Sequence, residues 1–114
     1  MNYKKHILSL YIMSVEISKS SKTNKKYDAV IDGKKTVSFG DSKYQDYTTH
    51  QDNDRKQRYI DRHRQNEKCG KDGVDTAGFM SNNLLWNKPT LQASVADLNN
   101  KYKNITFKMK WCFI

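Results

Sequence analysis

The chain has 114 residues, a formal net charge of +9 and 36% hydrophobic residues, which is enough for one small domain with a thin core. No apolar run approaches the roughly 20 residues that a membrane-spanning helix needs. Two cysteines, Cys69 and Cys112, are too few for a disulfide framework, so we expect free thiols.

The positive charge is concentrated at the two ends of the sequence. Residues 1–38 contain eight lysines and three acidic residues, and residues 99–114 contain four lysines and no acidic residue. Residues 39–98 contain nine basic and nine acidic residues and are neutral overall. This balance predicts that the arginines of the middle segment pair internally, and that the ends carry the excess positive field.

The first residues combine a basic start with a short apolar run. The run is too short for a convincing secretion signal, and no small-residue cleavage pattern follows Met13. We therefore expect residues 1–12 to be a flexible extension of a protein that is not secreted, and residues 13–114 to form a single α+β domain.

Alternating apolar residues predict strands in the N-terminal third. The first strand is short, Ser14–Ser18, and a polar run at 19–26 follows it. A hairpin is then centred on Asp32 and Gly33. A three-residue loop with Gly33 left-handed at a bulge is favoured, because an odd-length loop brings the apolar residues of both hairpin strands to one face. Those residues are Tyr27, Ala29, Val37 and Phe39.

Residues 41–49 indicate a polar connector, and residues 52–68 predict a helix with almost no apolar face. Asp52 is suited to cap this helix, and Gly70 to end it. At about 100° per residue, Tyr59 and His63 lie beside a face that holds three arginines. These are Arg55, Arg58 and Arg62.

Two uses of this arginine face are open: bidentate contacts with phosphates, or internal pairing with carboxylates. The neutral charge of the middle segment favours internal pairing. The candidate partners are Asp46, Asp52, Asp54, Asp61 and Glu67.

The C-terminal third predicts two helices and a strand. Thr76 is suited to cap the first helix, and Thr90, after Pro89, the second. Apolar residues in the second helix form a stripe of Leu91, Val95, Leu98 and Tyr102. Strict alternation then predicts a strand with Ile105, Phe107, Met109, Trp111 and Phe113 on one face. The order of elements predicts a small antiparallel sheet covered on one face by about three helices, to which the last strand returns.

Several short motifs between residues 27 and 98 resemble the family called domain of unknown function 5754, which comprises small proteins of large DNA viruses and some phages. The motifs are Phe39-Gly40, Asp46-Tyr47-Thr48, His50, Arg58-Tyr59, Arg62-His63, Asn66-Glu67, Thr76-Ala77-Gly78-Phe79, Leu85-Trp86-Asn87 and Pro89-Thr90. Met80 departs from the family pattern, which has Trp there. The resemblance implies a viral origin and a place in the virion, but it implies no reaction.

The residues with catalytic or metal-binding chemistry do not form a recognisable site. His50, His63, Cys69 and Cys112 lack the close spacing of a zinc site. The acidic residues around His50 resemble a nuclease set only loosely, and no phosphate loop or nucleophile elbow is present. We therefore expect no cofactor, no bound metal and no enzymatic activity, with a metal-dependent nuclease as the least favoured alternative.

The excess lysines are candidates for nucleic-acid binding if the terminal strand lies beside the hairpin and creates one basic face. They are Lys19, Lys22, Lys25, Lys26, Lys34, Lys35, Lys101, Lys103, Lys108 and Lys110. A solvated lysine surface without any partner is an equally good interpretation.

The sequence thus favours a virion-associated protein that binds DNA or RNA without reading sequence, located in the virion or the host cytoplasm. A capsid or scaffold component that binds viral structural proteins is the alternative from a different class.

Overall fold

The structure, a computed structural model, describes residues 12–63 and 73–110. Its four strands are β1 Met13–Lys19, β2 Lys25–Ile31, β3 Lys35–Asp41 and β4 Ile105–Met109. The helices are α1 Tyr47–His50, α2 Asn53–His63, α3 Ala77–Met80, which continues as the π-helical turn Ser81–Leu85, and α4 Leu91–Lys101. None of the helices in these two ranges has the length and apolar character needed to cross a membrane.

The predicted α+β class is confirmed, but the sheet is mixed rather than antiparallel. Its strand order is β3-β2-β1-β4, and β4 runs parallel to β1 with Met13 opposite Ile105. The chain leaves α4 at the end of the sheet where β1 begins, as the 3.0 Å hydrogen bond from Met13 N–H to Asn104 O shows. From that end β4 extends in the same direction as β1.

The hairpin has the predicted register. Tyr27 pairs with Phe39 and Ala29 with Val37, and the loop comprises the three residues 32–34. Gly33 is left-handed as predicted, with φ 69°, but Asp32 is left-handed too, with φ 53°. Two consecutive residues with positive φ are typical of the turn that matches the twist of the flanking strands.

The core lies between one face of the sheet and the C-terminal helices. Its fully buried side chains include Val15, Ile17, Phe39, Phe79, Met80, Leu84, Leu98 and Phe107. The predicted stripe of the last helix is confirmed, because Leu91, Val95 and Leu98 are buried. By contrast, α2 contributes no buried residue to this core.

Side-chain caps begin the helices where the sequence predicts them. Thr76 Oγ1 accepts the Phe79 N–H at 3.2 Å, and Thr90 Oγ1 accepts the Ala93 N–H at 3.1 Å. Asp52 Oδ1 accepts the Asp54 N–H at 2.9 Å. The predicted end of the central helix, the two cysteines, the last part of the terminal strand and the N-terminal extension up to residue 11 lie outside the described residues.

Candidate functional site

Stacked rings hold α2 against the rest of the protein. Tyr59 lies between two rings: Trp86, with centroids 4.2 Å apart and planes at 4°, and His63, with centroids 4.0 Å apart and planes at 24°. His50 packs on Trp86 at 5.3 Å. We call these four residues the aromatic column, and it connects α1 and α2 with the residue that follows the π-helical turn.

Two polar contacts fix the same helices to the segment after Trp86. The ammonium group of Lys56 donates to Asn87 O at 2.6 Å and lies 5.0 Å from the centroid of the Tyr47 ring. Gln51 Nε2 donates to Pro89 O at 3.2 Å. Burial lowers the pKa of the Lys56 ammonium group, and the nearby Lys88 lowers it further. Lys56 therefore acts as a structural connection rather than as a free surface cation.

An ion pair joins the sheet to the start of α1. Lys26 Nζ lies 2.5 Å from Asp46 Oδ2, and Asp46 is only 4% exposed. The same carboxylate caps α1 by accepting the Thr48 N–H at 2.9 Å. Asp46 therefore serves Lys26 and a helix terminus, and α1 forms where the sequence predicted only a polar connector.

These elements enclose a cleft of about 380 Å³. The arginine face, Arg55, Arg58 and Arg62, lies along one side of it, and all three arginines are exposed. The other lining residues are Lys26, Gly40, Asp41, Tyr44, Gln45, Asp46, Tyr59, His63, Ser81, Leu85 and Trp86. The cleft thus combines four cationic side chains, two carboxylates and several aromatic rings.

Gly40 permits the close packing at the base of the cleft. Its φ is +82°, and a Cβ atom there would lie 2.8 Å from Leu85 Cδ1 and 3.2 Å from Lys26 Cβ. The π-helical turn brings Ser81 and Leu85 to the same wall, and it closes with a 3.2 Å hydrogen bond from Trp86 N–H to Ser81 O. π-helical turns are frequent at functional sites.

The predicted internal pairing of the arginine face is wrong for the described carboxylates. None of them lies within 4.0 Å of a guanidinium nitrogen of Arg55, Arg58 or Arg62. The acidic side chains have other roles: Asp46 pairs with Lys26, Asp52 caps α2, and Asp61 accepts a hydrogen bond from Gln57 at 2.9 Å. Asp54 makes no ion pair with these arginines, and Glu67 lies outside the described residues.

The pKa of the Asp52 carboxyl is lowered more by its capping hydrogen bonds than by the charge of an arginine. The hydrogen bond from the Arg55 N–H lowers the pKa of this carboxyl most, the hydrogen bond from the Asp54 N–H lowers it less, and the charge of Arg58 adds a smaller effect. The guanidinium group of Arg58 therefore lowers the pKa of the Asp52 carboxyl without a direct contact.

The condition set for a single basic face, a terminal strand beside the hairpin, is not met, and the lysines lie at both ends of the sheet. The pairing of the strands places Lys19, Lys22, Lys25 and Lys110 at one end and Lys34, Lys35, Lys101 and Lys103 at the other. Lys108 is exposed on the edge strand β4, opposite Glu16. Lys26 and Lys35 are engaged with Asp46 and Asp75, respectively. The terminal strand pairs with β1, at the sheet edge opposite β3.

His50 is half-buried, and the Nε2 edge of its ring faces the protein interior. Its Nδ1 accepts the Asp52 N–H at 2.9 Å, and Nε2 is buried without a hydrogen-bond partner in the described part of the chain. Burial lowers the pKa of this imidazole, and the charge of Arg55 lowers it further. The folded protein thus favours neutral His50.

Within residues 12–63 and 73–110, no three His, Cys, Asp or Glu side chains come close enough to hold a metal ion. His50 and His63 belong to the aromatic column.

Comparisons with known proteins agree with the resemblance noted from the sequence. Residues 15–63 match the model of DUF5754, a family of unknown function. The match begins earlier than the motifs suggested, includes most of β1 and all of β2, β3, α1 and α2, and ends at the last residue of α2, before the motifs that follow residue 63. No curated protein and no solved structure matches the chain.

Proposed function

We propose that this chain, whose residues 15–63 match the model of the DUF5754 family, is a non-enzymatic protein that binds nucleic acid without reading its sequence. The arginine face of α2 makes the contact. One observation carries the proposal: three exposed guanidinium groups share one side of a helix, and no described carboxylate pairs with them.

The geometry of the arginine face suits a phosphate backbone. Arg55 and Arg62 are seven residues apart, which corresponds to about 10 Å along a helix axis. Guanidinium groups bind phosphates through two parallel hydrogen bonds, and displacement of counterions from the nucleic acid drives such contacts. The net charge of +9 attracts a polyanion from a distance even though the lysines are dispersed.

The experiment compares two double variants with the same change in charge. Arg58→Glu with Arg62→Glu alters the arginine face, and Lys108→Glu with Lys110→Glu alters β4 and the residue after it, neither of which lines the cleft. Binding to a labelled 20-nucleotide DNA is measured by fluorescence anisotropy from 50 to 200 mM salt. Circular dichroism checks that both variants fold.

We expect the arginine variant to bind at least about tenfold more weakly. The slope of log affinity against log salt concentration should become less steep, by roughly 0.7 to 0.9 for each phosphate that the variant no longer neutralises. The lysine variant should be weakened much less. An equal reduction in both variants would assign binding to overall charge, and the absence of wild-type binding would reject the proposal.

A protein-contact role is the second candidate, because the cleft also presents Tyr44, which is 70% exposed beside the three arginines. Tyr and Arg are enriched at protein interfaces. A scaffold protein should show no affinity for nucleic acid and should self-associate in analytical ultracentrifugation, and Tyr44→Ser should reduce that self-association. Residence in a virion stays a prediction that mass spectrometry of purified particles would test.

A further inference from the structure

The cleft beside the arginine face has the size of a site for one small ligand. Its volume of about 380 Å³ lies near the lower end of the range of roughly 300–1,000 Å³ found for small-molecule sites. A rigid duplex cannot enter such a space, whereas one unpaired nucleotide can. Occupation by a nucleotide depends on which side chains would contact its base.

Tyr44 is a described aromatic residue of the cleft whose ring stacks on no other described ring. Tyr59 already stacks on Trp86 at 4.2 Å and on His63 at 4.0 Å, so both of its faces are covered. Tyr44 is 70% exposed, and it makes no ring contact with another described aromatic side chain.

The turn before Tyr44 holds its backbone in place. The Tyr44 N–H donates to Asp41 O at 3.2 Å, and the Lys43 N–H donates to Asp41 Oδ1 at 2.9 Å. Ser42 Oγ donates to Thr23 O at 3.0 Å and ties the turn to the loop between β1 and β2. An exposed tyrosine on an anchored turn is a preorganised stacking surface.

The polar groups of the cleft are divided in a way that suits a nucleotide. Lys26 and Asp46 form an ion pair at the bottom of the cleft and neutralise each other's charge. No described carboxylate pairs with the arginine face, so it can contact phosphates, and Gln45 beside Tyr44 offers an amide that can accept from or donate to the edge of a nucleobase.

We propose that the cleft receives one unpaired nucleotide of a single strand, with its base on the ring of Tyr44 and its flanking phosphates on the arginine face. This inference rests on the proposed nucleic-acid binding and adds a preference for single strands. A duplex cannot use the Tyr44 ring, because the faces of its bases are already stacked on one another.

The test uses the full chain and four probes: a single-stranded oligonucleotide, its duplex, a strand of abasic sites with the same length, and adenosine monophosphate as a competitor. Tyr44→Ala removes the ring, and Tyr44→Phe keeps it as the matched control.

We expect the single strand to bind more tightly than the duplex. Tyr44→Ala should weaken single-strand binding by about 5- to 100-fold, the effect expected for one base stacked on an aromatic ring. Tyr44→Phe should retain binding, and the abasic strand should bind wild-type protein as weakly as the normal strand binds Tyr44→Ala.

Equal affinity for the single strand, duplex and abasic strand would overturn the inference. If Arg58→Glu with Arg62→Glu still weakened binding in that case, the proposed function would stand. A further outcome is that adenosine monophosphate displaces the oligonucleotide at a concentration as low as the Kd of the oligonucleotide itself. That result would assign the cleft to a free nucleotide and overturn the single-strand assignment.

Discussion

The ring of Tyr59 on α2 lies parallel to the ring of Trp86, with centroids 4.2 Å apart and planes at 4°. Although α2 contributes no buried residue, this stack joins it to Trp86, which packs against the core, and so positions the arginine face. A polar helix is thus stabilised by one stack and a few hydrogen bonds, and the cleft depends on their integrity.

Replacing Trp86 with Ala should loosen α2 while leaving the sheet intact. Removal of the stack and of the partly buried indole should lower the free energy of unfolding by about 1–3 kcal/mol. Hydrogen–deuterium exchange should show faster exchange in residues 53–63 and little change in β2. Trp86→Phe, which keeps a ring, is the control. Unchanged protection of α2 in Trp86→Ala would show that the polar contacts suffice.

The lowered pKa of His50 predicts a stability that falls in mild acid. Burial, the larger cause, and Arg55 lower the pKa of the folded imidazole below its ordinary value of 6.5. As pH falls below about 6.5, the unfolded chain therefore takes up the proton first, and the free energy of unfolding decreases. Urea denaturation at pH 7.5 and pH 5.5 measures the change.

His50→Asn is the matched variant for this experiment, because its short side chain offers an acceptor for the Asp52 N–H but does not titrate. Its stability should depend less on pH in this interval than that of the wild type. All other titrating groups are common to both proteins and cancel in the comparison. Equal pH dependence in the two proteins would remove His50 as the cause.

Local patterns predicted the elements of this fold well, since period, capping and turn chemistry are properties of neighbouring residues. The parity of Tyr27 and Phe39 fixed the odd-length hairpin loop, and Thr76 and Thr90 marked two helix starts. The direction of β4 did not follow, because alternation decides which face of a strand is buried but not which end enters the sheet.

The environment of the arginine face could not be predicted from charge counts. A neutral segment has enough carboxylates to pair with its cations. In the structure, however, Asp52 caps a helix, and Asp46 pairs with Lys26 from the N-terminal segment. The cleft also needs Trp86 and Leu85, which are far from α2 in sequence. The motifs of the resemblance include Gly40 and Trp86, but they carry no indication that the two line one site.

Gly40 should be much less tolerant of substitution than Gly33, although both have positive φ. Gly40→Ala combines backbone strain with Cβ contacts of 2.8 Å to Leu85 and 3.2 Å to Lys26, and Gly33 has no atom within 4 Å of such a Cβ. We expect Gly33→Ala to cost about 1 kcal/mol and Gly40→Ala about 2–4 kcal/mol in chemical denaturation. Equal costs would mean that the wall of the cleft yields without penalty.

Asn99 on α4 should protect the free edge of the sheet. Its Oδ1 accepts the Phe107 N–H at 2.7 Å and its Nδ2 donates to Phe107 O at 3.0 Å, so the amide occupies the place of a neighbouring strand. Asn99→Ala leaves both backbone groups without this partner, which should cost about 1–3 kcal/mol and promote pairing between edges of separate molecules.

Chemical denaturation and light scattering measure the two effects of Asn99→Ala. Asn100→Ala is the control, because Asn100 is exposed and accepts only a 3.4 Å hydrogen bond from Lys103, so its removal should change stability by no more than about 0.5 kcal/mol. Asn99→Asp separates the two bonds, since a carboxylate still accepts from the Phe107 N–H but cannot donate to the carbonyl. We expect it to fall between the wild type and Asn99→Ala in stability. If Asn99→Ala matched Asn100→Ala in both measurements, water would satisfy the edge of β4 equally well.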